Sequence, residues 1–223
     1  MSEVLLRQED REKFIALFLE ENAVHNLSAA RTSEAVGALV EDSLAVAGLL
    51  ELREGQSLLD VGTGGGFPGL VLAQAIPGLS VTLLDAVQKK CSAVGRLATA
   101  LNRTNVQVCC GRAETLAHQE DLREQFDVVV AKAVAALPTL LELTVPFLAR
   151  EGVLVAYKGP RYEEELLQSR TAQSELGVEL TEVHAYTLGQ ETEPRSLLFF
   201  RRTGSLSDRY PRRDGLPKKS PLL

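Results

Sequence analysis

The chain has 223 residues, 45% of them hydrophobic and 24% charged, with 17 glycines and 9 prolines. That is enough apolar material for one ordinary domain with a real core, and too much for a disordered chain. No apolar run approaches the roughly 18 residues of a membrane-spanning helix, and the opening Met1-Ser2-Glu3-Val4 lacks the basic and apolar stretches of a secretory leader. Cys91, Cys109 and Cys110 offer no CxxC spacing, and His25, His118 and His184 are scattered. Neither a disulfide framework nor a metal site is expected, and a cytoplasmic monomer without membrane attachment is. The net charge is −6, unevenly placed: residues 201–223 carry seven basic side chains against two acidic ones, so that strip is +5 and the rest −11. A local strip of this kind can meet phosphates within a Debye length of about 8 Å. Its plain reading is a solvated segment.

In chain order, residues 7–22 set Phe14 and Phe18, and Ile15 and Leu19, four apart among charges, which predicts an amphipathic helix. His25-Asn26-Leu27-Ser28 breaks it. Thr32 or Ser33 supplies the cap of a second helix whose apolar positions Val36, Leu39, Val40, Leu44 and Ala47 recur at helical spacing. After the turn at Glu54-Gly55-Gln56 the pattern becomes strand, loop, helix, repeated. Strands are expected over 57–61, 80–84, 106–110, 126–131 and 152–157, and helices over 68–76, 87–101, 137–148 and 161–176. Two further strands, 179–188 and 195–202, have no helix between them and predict an antiparallel hairpin. The alternation predicts a mostly parallel, doubly wound α/β sheet. The expected organisation is a helical cap over 1–54, a cofactor-binding domain over 55–203 and a basic tail over 204–223.

The most informative stretch is Leu59-Asp60-Val61-Gly62-Thr63-Gly64-Gly65-Gly66-Phe67-Pro68-Gly69. In open α/β sheets ligands bind beyond the carboxyl ends of the strands, and glycines there let bare backbone approach a ligand. Two registers compete. Gly64-x-Gly66-x-x-Gly69 has the form of a dinucleotide fingerprint, which would make the protein an NAD-dependent oxidoreductase. Its first glycine falls late, however, and Pro68 has no N–H to offer a pyrophosphate at the helix start. Asp60-x-Gly62-x-Gly64-x-Gly66 begins at the strand end, and its acid suits a cofactor bearing an ammonium and a sulfonium, S-adenosylmethionine. Asp85 ends the next strand, where a carboxylate accepts both ribose hydroxyls. NAD enzymes use the same device, so Asp85 indicates adenosine without choosing the cofactor. Gly111-Arg112-Ala113-Glu114 follows the third strand. Its small residue and acid suit an adenine edge, against the plain reading of Glu114 as an acid at a helix N-terminus. The three cysteines read as small core residues rather than nucleophiles.

On these residues the chain resembles the class I S-adenosylmethionine-dependent methyltransferases, with their Rossmann-like fold. Within them it is similar to the RsmG (GidB) family of bacterial 16S ribosomal RNA guanine-N7 methyltransferases. The most specific stretch is Asp60-Val61-Gly62-Thr63-Gly64 with Gly66-Phe67-Pro68-Gly69. Asn26-Leu27-Ser28, Asp42-Ser43-Leu44, Leu84-Asp85 with Lys89-Lys90, Gly111-Arg112-Ala113-Glu114, Ala133-Val134-Ala135 and Lys158-Gly159-Pro160 follow the family order. Tyr210-Pro211-Arg212-Arg213 with Gly215 and Pro217 resembles a tail found in part of the family. The resemblance implies that Gly62, Phe67, Asp85, Ala86, Val87, Ala113 and Glu114 line the cofactor pocket, beside Asp60, Gly64 and Gly66 of the glycine register. Three positions depart from the family pattern: Lys132 stands where Arg is usual, Leu39 replaces a His, and His25 replaces a Tyr.

The implied substrate is 16S rRNA or the small ribosomal subunit, methylated at N7 of one guanine in the 530 loop, position 527. Guanine N7 already carries an in-plane lone pair, so in-line transfer from a sulfonium requires no general base. Alignment then carries the catalysis. Lys132, at the end of the fourth strand, and Asn26, in the break between the first helices, are the candidates to act on cofactor or base. The plain reading of Asn26 is a turn residue. Arg31, Lys158, Arg161, Arg195, Arg202, Arg212, Arg213, Lys218 and Lys219 would form an RNA-binding rim. A non-catalytic nucleotide-binding assembly factor, with turnover lost through Lys132, is the alternative outside the enzymes.

Overall fold

The computed structural model of the chain describes residues 6–189 and 193–223. Among them, seven strands make the mostly parallel α/β sheet with an antiparallel C-terminal hairpin that the alternation predicts. By its contacts the chain divides into two compact units, Met1–Cys110 and Gly111–Leu223.

The first unit opens with α1 (Gln8–His25) and α2 (Ser33–Leu44). Phe14, Phe18 and Asn22 recur every four residues on α1 and are its buried positions. Burying a phenylalanine contributes roughly 1.5–3 kcal/mol. Asn26 ends α1 in the left-handed region at φ 53, a conformation that asparagine tolerates better than most residues. Asn22 latches the break by donating to Ala30 O (2.6 Å) and accepting from Ser28 N (2.9 Å). Thr32 caps α2 through Ala35 N–H, as expected.

Strands β1 (Ser57–Val61), β2 (Ser80–Asp85) and β3 (Val106–Cys110) are parallel, with β2 central. Helices α3 (Gly69–Ala75) and α4 (Gln88–Ala100) follow β1 and β2. All these elements match their expected positions to within a residue or two. The cysteines of β3 do not match. Cys109 is half-buried and Cys110 exposed, because β3 is the edge strand and its faces are incompletely covered. Cys91, on α4, is buried as expected.

The second unit contains α5 (Ala113–Leu116), β4 (Phe126–Lys132), α6 (Leu137–Thr144), β5 (Leu148–Lys158), α7 (Tyr162–Gln168), α8 (Arg170–Leu176), β6 (Val178–Tyr186), β7 (Arg195–Arg202) and α9 (Leu216–Lys219). Strands β4 and β5 are parallel, while β7 is antiparallel to both β5 and β6. The hairpin therefore folds back so that its second strand meets β5. The single helix expected over 161–176 is two, divided at Ser169, whose hydroxyl turns back to Leu166 O at 2.8 Å. The segment after β7 is not a solvated tail. Tyr210, Pro211 and Pro217 are buried. The Thr139 hydroxyl donates to Pro217 O at 3.1 Å. Arg212 reaches the fully buried Glu142 with Nε (2.8 Å), a terminal guanidinium nitrogen (2.6 Å) and its backbone N–H (2.9 Å).

Candidate functional site

In the first unit the chain leaves β1 at Val61 and turns through Gly62, Gly64 and Gly66, all at positive φ (75°, 58° and 94°). Gly62 N–H and Thr63 N–H both donate to Leu84 O, at 2.8 and 2.9 Å. Gly64 N–H donates to Asp85 Oδ2 at 2.9 Å, while Asp85 Oδ1 accepts from Val87 N–H at 2.9 Å. One carboxylate at the end of β2 thus staples the glycine loop and orders the start of α4. Each carboxylate oxygen keeps further acceptor capacity for a ligand hydroxyl.

The glycines serve different ends. A Cβ on Gly69 would lie 2.4 Å from Leu83 Cδ2 and 2.7 Å from Asp60 Cβ, so this residue is bare for packing. A Cβ on Gly64 would meet nothing closer than Gly62 O at 3.9 Å. Gly64 is bare for its backbone angle and opens on space, as a loop that admits a ligand requires. Thr63, between Gly62 and Gly64, buries a hydroxyl with no hydrogen-bond partner among the described residues. Sequence reasoning did not single it out, though its place inside the glycine register was the available signal. An unpartnered buried hydroxyl, an open glycine and an acid at the neighbouring strand end suit the polar adenosyl end of a ligand.

The other first-unit candidates divide. Asp60 is fully buried and turned under the loop, where Oδ2 accepts Gly69 N–H at 2.9 Å. It shapes the turn from below. Phe67 is 8% exposed and packs edge-on against Phe14 and Phe18, with centroids 5.6 and 5.0 Å away. Ala86 and Val87 are exposed beside Asp85. Asn26 and Arg31 are exposed and joined, Asn26 Oδ1 accepting from the guanidinium of Arg31.

In the second unit Ala113 and Glu114 are buried at the start of α5. Glu114 Oε1 accepts from Arg112 and from Gly215 N–H, the latter at 2.9 Å. Lys132 is half-buried at the end of β4, in register with Tyr157, and its Nζ is withdrawn from solvent. Ala133, next to it, is held at φ 56, a strained position for a residue with a Cβ.

The basic residues are not one rim. Arg161, Arg213, Lys218 and Lys219 are exposed, and Arg195 is half-buried. Lys158, Arg202 and Arg212 are engaged inside the fold. Lys158 pairs with Glu165, and Arg212 with Glu142. Arg202, its side chain 5% exposed, lies 2.9 Å from Glu124. Among the described residues no group of three or more His, Cys, Asp or Glu is placed to hold a metal ion, and no helix is long and apolar enough to cross a membrane.

The sequence profile of a family described as rRNA small subunit methyltransferase G (GidB) matches residues 7–193. The chain is 38% identical over 213 residues to the ribosomal RNA small subunit methyltransferase G of Carboxydothermus hydrogenoformans, covering 95% of this chain and 90% of that one. It is 43% identical over 210 residues to the protein of that name from Deinococcus deserti, covering 94% and 86%. Among solved structures, M. jannaschii TYW2 in complex with AdoMet matches with a TM-score of 0.55 at 16% identity, over 74% of this chain and 76% of that one. The YcgJ protein of Bacillus subtilis matches with a TM-score of 0.55 at 14% identity, over 74% of this chain and 99% of that one. At these identities the structures speak for the fold alone.

Proposed function

The chain belongs to the rRNA small subunit methyltransferase G family, and from that premise we propose that it transfers a methyl group from S-adenosylmethionine to N7 of one guanine in the 530 loop of 16S rRNA. The observation that carries the cofactor half of this reading is the staple from Gly64 N–H to Asp85. It joins an open glycine backbone to an acid at the adjacent strand end, the pair that an adenosine ligand uses. With methyltransferase as the family chemistry, the NAD reading of the glycines lapses.

S-Adenosylmethionine supplies a methyl carried on a sulfonium. Asp85 accepts the ribose hydroxyls while retaining the Gly64 and Val87 N–H groups. Ala86 and Val87 offer apolar contact beside it. Thr63 gives its buried hydroxyl a partner in the ligand. Within the second unit, taken by itself, the resemblance gives Ala113 and Glu114 to the adenine edge, where Glu114 would accept an exocyclic amine. Lys132 acts at the end of β4 on cofactor or base, held by the strained turn at Ala133. No proton is abstracted, because guanine N7 presents its own lone pair. The rate would come from alignment of the methyl donor with guanine N7, worth roughly 7–11 kcal/mol when reacting groups are held in near-attack geometry, and the donor would leave as the neutral thioether S-adenosylhomocysteine. The exposed Arg31, Arg161, Arg213, Lys218 and Lys219 contact RNA phosphates. Asn26, already bonded to Arg31, positions that arginine.

The reaction is tested with purified protein, methyl-labelled S-adenosylmethionine and small subunits from cells lacking this activity. Label in 16S rRNA, with aniline scission after borohydride at a single guanine of the 530 loop, is expected. Label at another base, or at a ring position that does not sensitise the chain to aniline, overturns the N7 assignment.

A further inference from the structure

The segment after β7 ends at the residue that this reading gives to adenine. Gly215 N–H donates to Glu114 Oε1 at 2.9 Å, and Arg112 donates to the same oxygen. One residue along on each side, the Thr115 hydroxyl donates to Asp214 Oδ1 at 2.8 Å. His118 Nε2 lies 2.9 Å from Pro211 O. The segment is itself anchored by the triple contact of Arg212 with the buried Glu142, by Pro217 O on Thr139, and by the buried ring of Tyr210. Both donors to Glu114 fall on Oε1. Among the described residues they fix the rotation of a carboxylate that is 4% exposed and leave Oε2 to accept from elsewhere. Gly215 presents its N–H from φ 75, where any other residue would be strained, although a Cβ there would meet nothing within 4 Å.

We infer that residues 210–217 are a strap that fixes the Glu114 carboxylate and thereby sets the affinity for the adenine end of the cofactor. Gly215 and Asp214 are its positioning residues. The strap rests on the reading of Glu114 as an adenine acceptor. It reverses the plain expectation for a basic C-terminal strip, that losing it would weaken RNA binding and spare the cofactor.

The test measures the affinity of S-adenosylhomocysteine by calorimetry for the full chain, for Asp214→Ala/Gly215→Val, for Glu114→Ala, and for the triple variant. Asp214→Ala/Gly215→Val keeps the Tyr210 and Arg212 anchors, so it is expected to fold, with its thermal midpoint without ligand lowered by the left-handed strain at position 215. Its affinity is expected to fall about tenfold, and by less than twofold once Glu114 is alanine. Equal losses in both backgrounds mean the segment acts on folding rather than on Glu114, and overturn the strap. Unchanged affinity in Asp214→Ala/Gly215→Val, with Glu114→Ala still weakened, overturns the strap and leaves the adenine reading standing. Unchanged affinity in Glu114→Ala overturns the adenine reading itself.

Discussion

The ammonium of Lys158 lies 2.6 Å from Glu165 Oε2 and 2.8 Å from the carbonyl oxygen of Ala135. The same Glu165 oxygen accepts the N–H of Leu137, the first residue of α6, at 2.7 Å. One carboxylate therefore satisfies an otherwise unpaired donor at a helix start. Through Lys158 it also holds the loop that leaves Lys132 by way of the strained Ala133. A lysine at a strand end, expected from sequence to face RNA phosphates, is an internal brace whose side chain is 7% exposed.

Lys158→Met separates these roles. Removing one partner of a largely buried ion pair costs about 3 kcal/mol, at the lower end of the range because Glu165 keeps 29% of its side-chain exposure. Urea unfolding is expected to show that loss, and methylation to slow as the loop after Lys132 loosens. The salt dependence of RNA binding is expected not to change. A lost phosphate contact would lower its slope by about one, and such a drop would return Lys158 to the RNA-binding set.

Gly64→Ala and Gly69→Ala are expected to fail in different ways. At Gly69 the new Cβ collides with Leu83 and Asp60 inside the β1–α3 packing, so the protein is destabilised by several kcal/mol, in the manner of an overpacked core. At Gly64 the space is open and only the angle of φ 58 is penalised, at roughly 1–2 kcal/mol. Gly64→Ala is therefore expected to fold, with its thermal midpoint lowered by a few degrees, and to lose S-adenosylhomocysteine affinity by tenfold or more. Parent-like affinity in a folded Gly64→Ala protein would remove the loop from the cofactor site.

Most of the architecture was legible because period and punctuation agreed. Strands 57–61 and 106–110, the Asn26 break and the Thr32 cap each follow from local chemistry, with Asn26, Gly62, Gly64 and Gly66 placed where the backbone turns left-handed. What was not legible depended on partners that only the fold brings together. Lys158, Arg202 and Arg212 look like free cations until Glu165, Glu124 and Glu142 are brought beside them. Asp60 sits where a ligand acid belongs, yet its carboxylate turns under Gly69. Cys110 reads as core until β3 proves to be an edge strand. Charge counted along a chain says how many cations exist, and only the fold says which of them have been neutralised.

Arg212 and Glu142 give that statement a stability test. Glu142 is fully buried and receives three donors from Arg212. Arg212→Met leaves the carboxylate with only the backbone N–H, and is expected to cost about 3–5 kcal/mol. Adding Glu142→Leu removes the stranded charge and is expected to recover most of the loss, since a well-packed apolar pair often equals a buried ion pair. Chemical unfolding of the four proteins of this cycle measures the coupling. A coupling near zero would mean that the pair does not hold the C-terminal segment down.

Cys91 supplies the pH dependence. Its thiol donates to Asp85 O at 3.2 Å, and burial first, then the neighbouring Cys110 thiol and the Asp85 charge, push its pKa up to about 12. The folded protein therefore holds this proton more tightly than the unfolded chain does. The resulting stabilisation is fully present below the ordinary thiol range and is lost as pH rises from about 9 towards 12. Iodoacetamide at pH 8 is expected to modify the exposed Cys110 in the native protein and to spare Cys91 until unfolding. Unfolding midpoints between pH 8 and 11 are expected to fall more steeply for the parent than for Cys91→Ala, once the constant cost of the smaller side chain is subtracted. Parallel pH profiles would show that Cys91 does not titrate with the fold, and native labelling at Cys91 would show that the β2–α4 junction carrying Asp85 opens in solution.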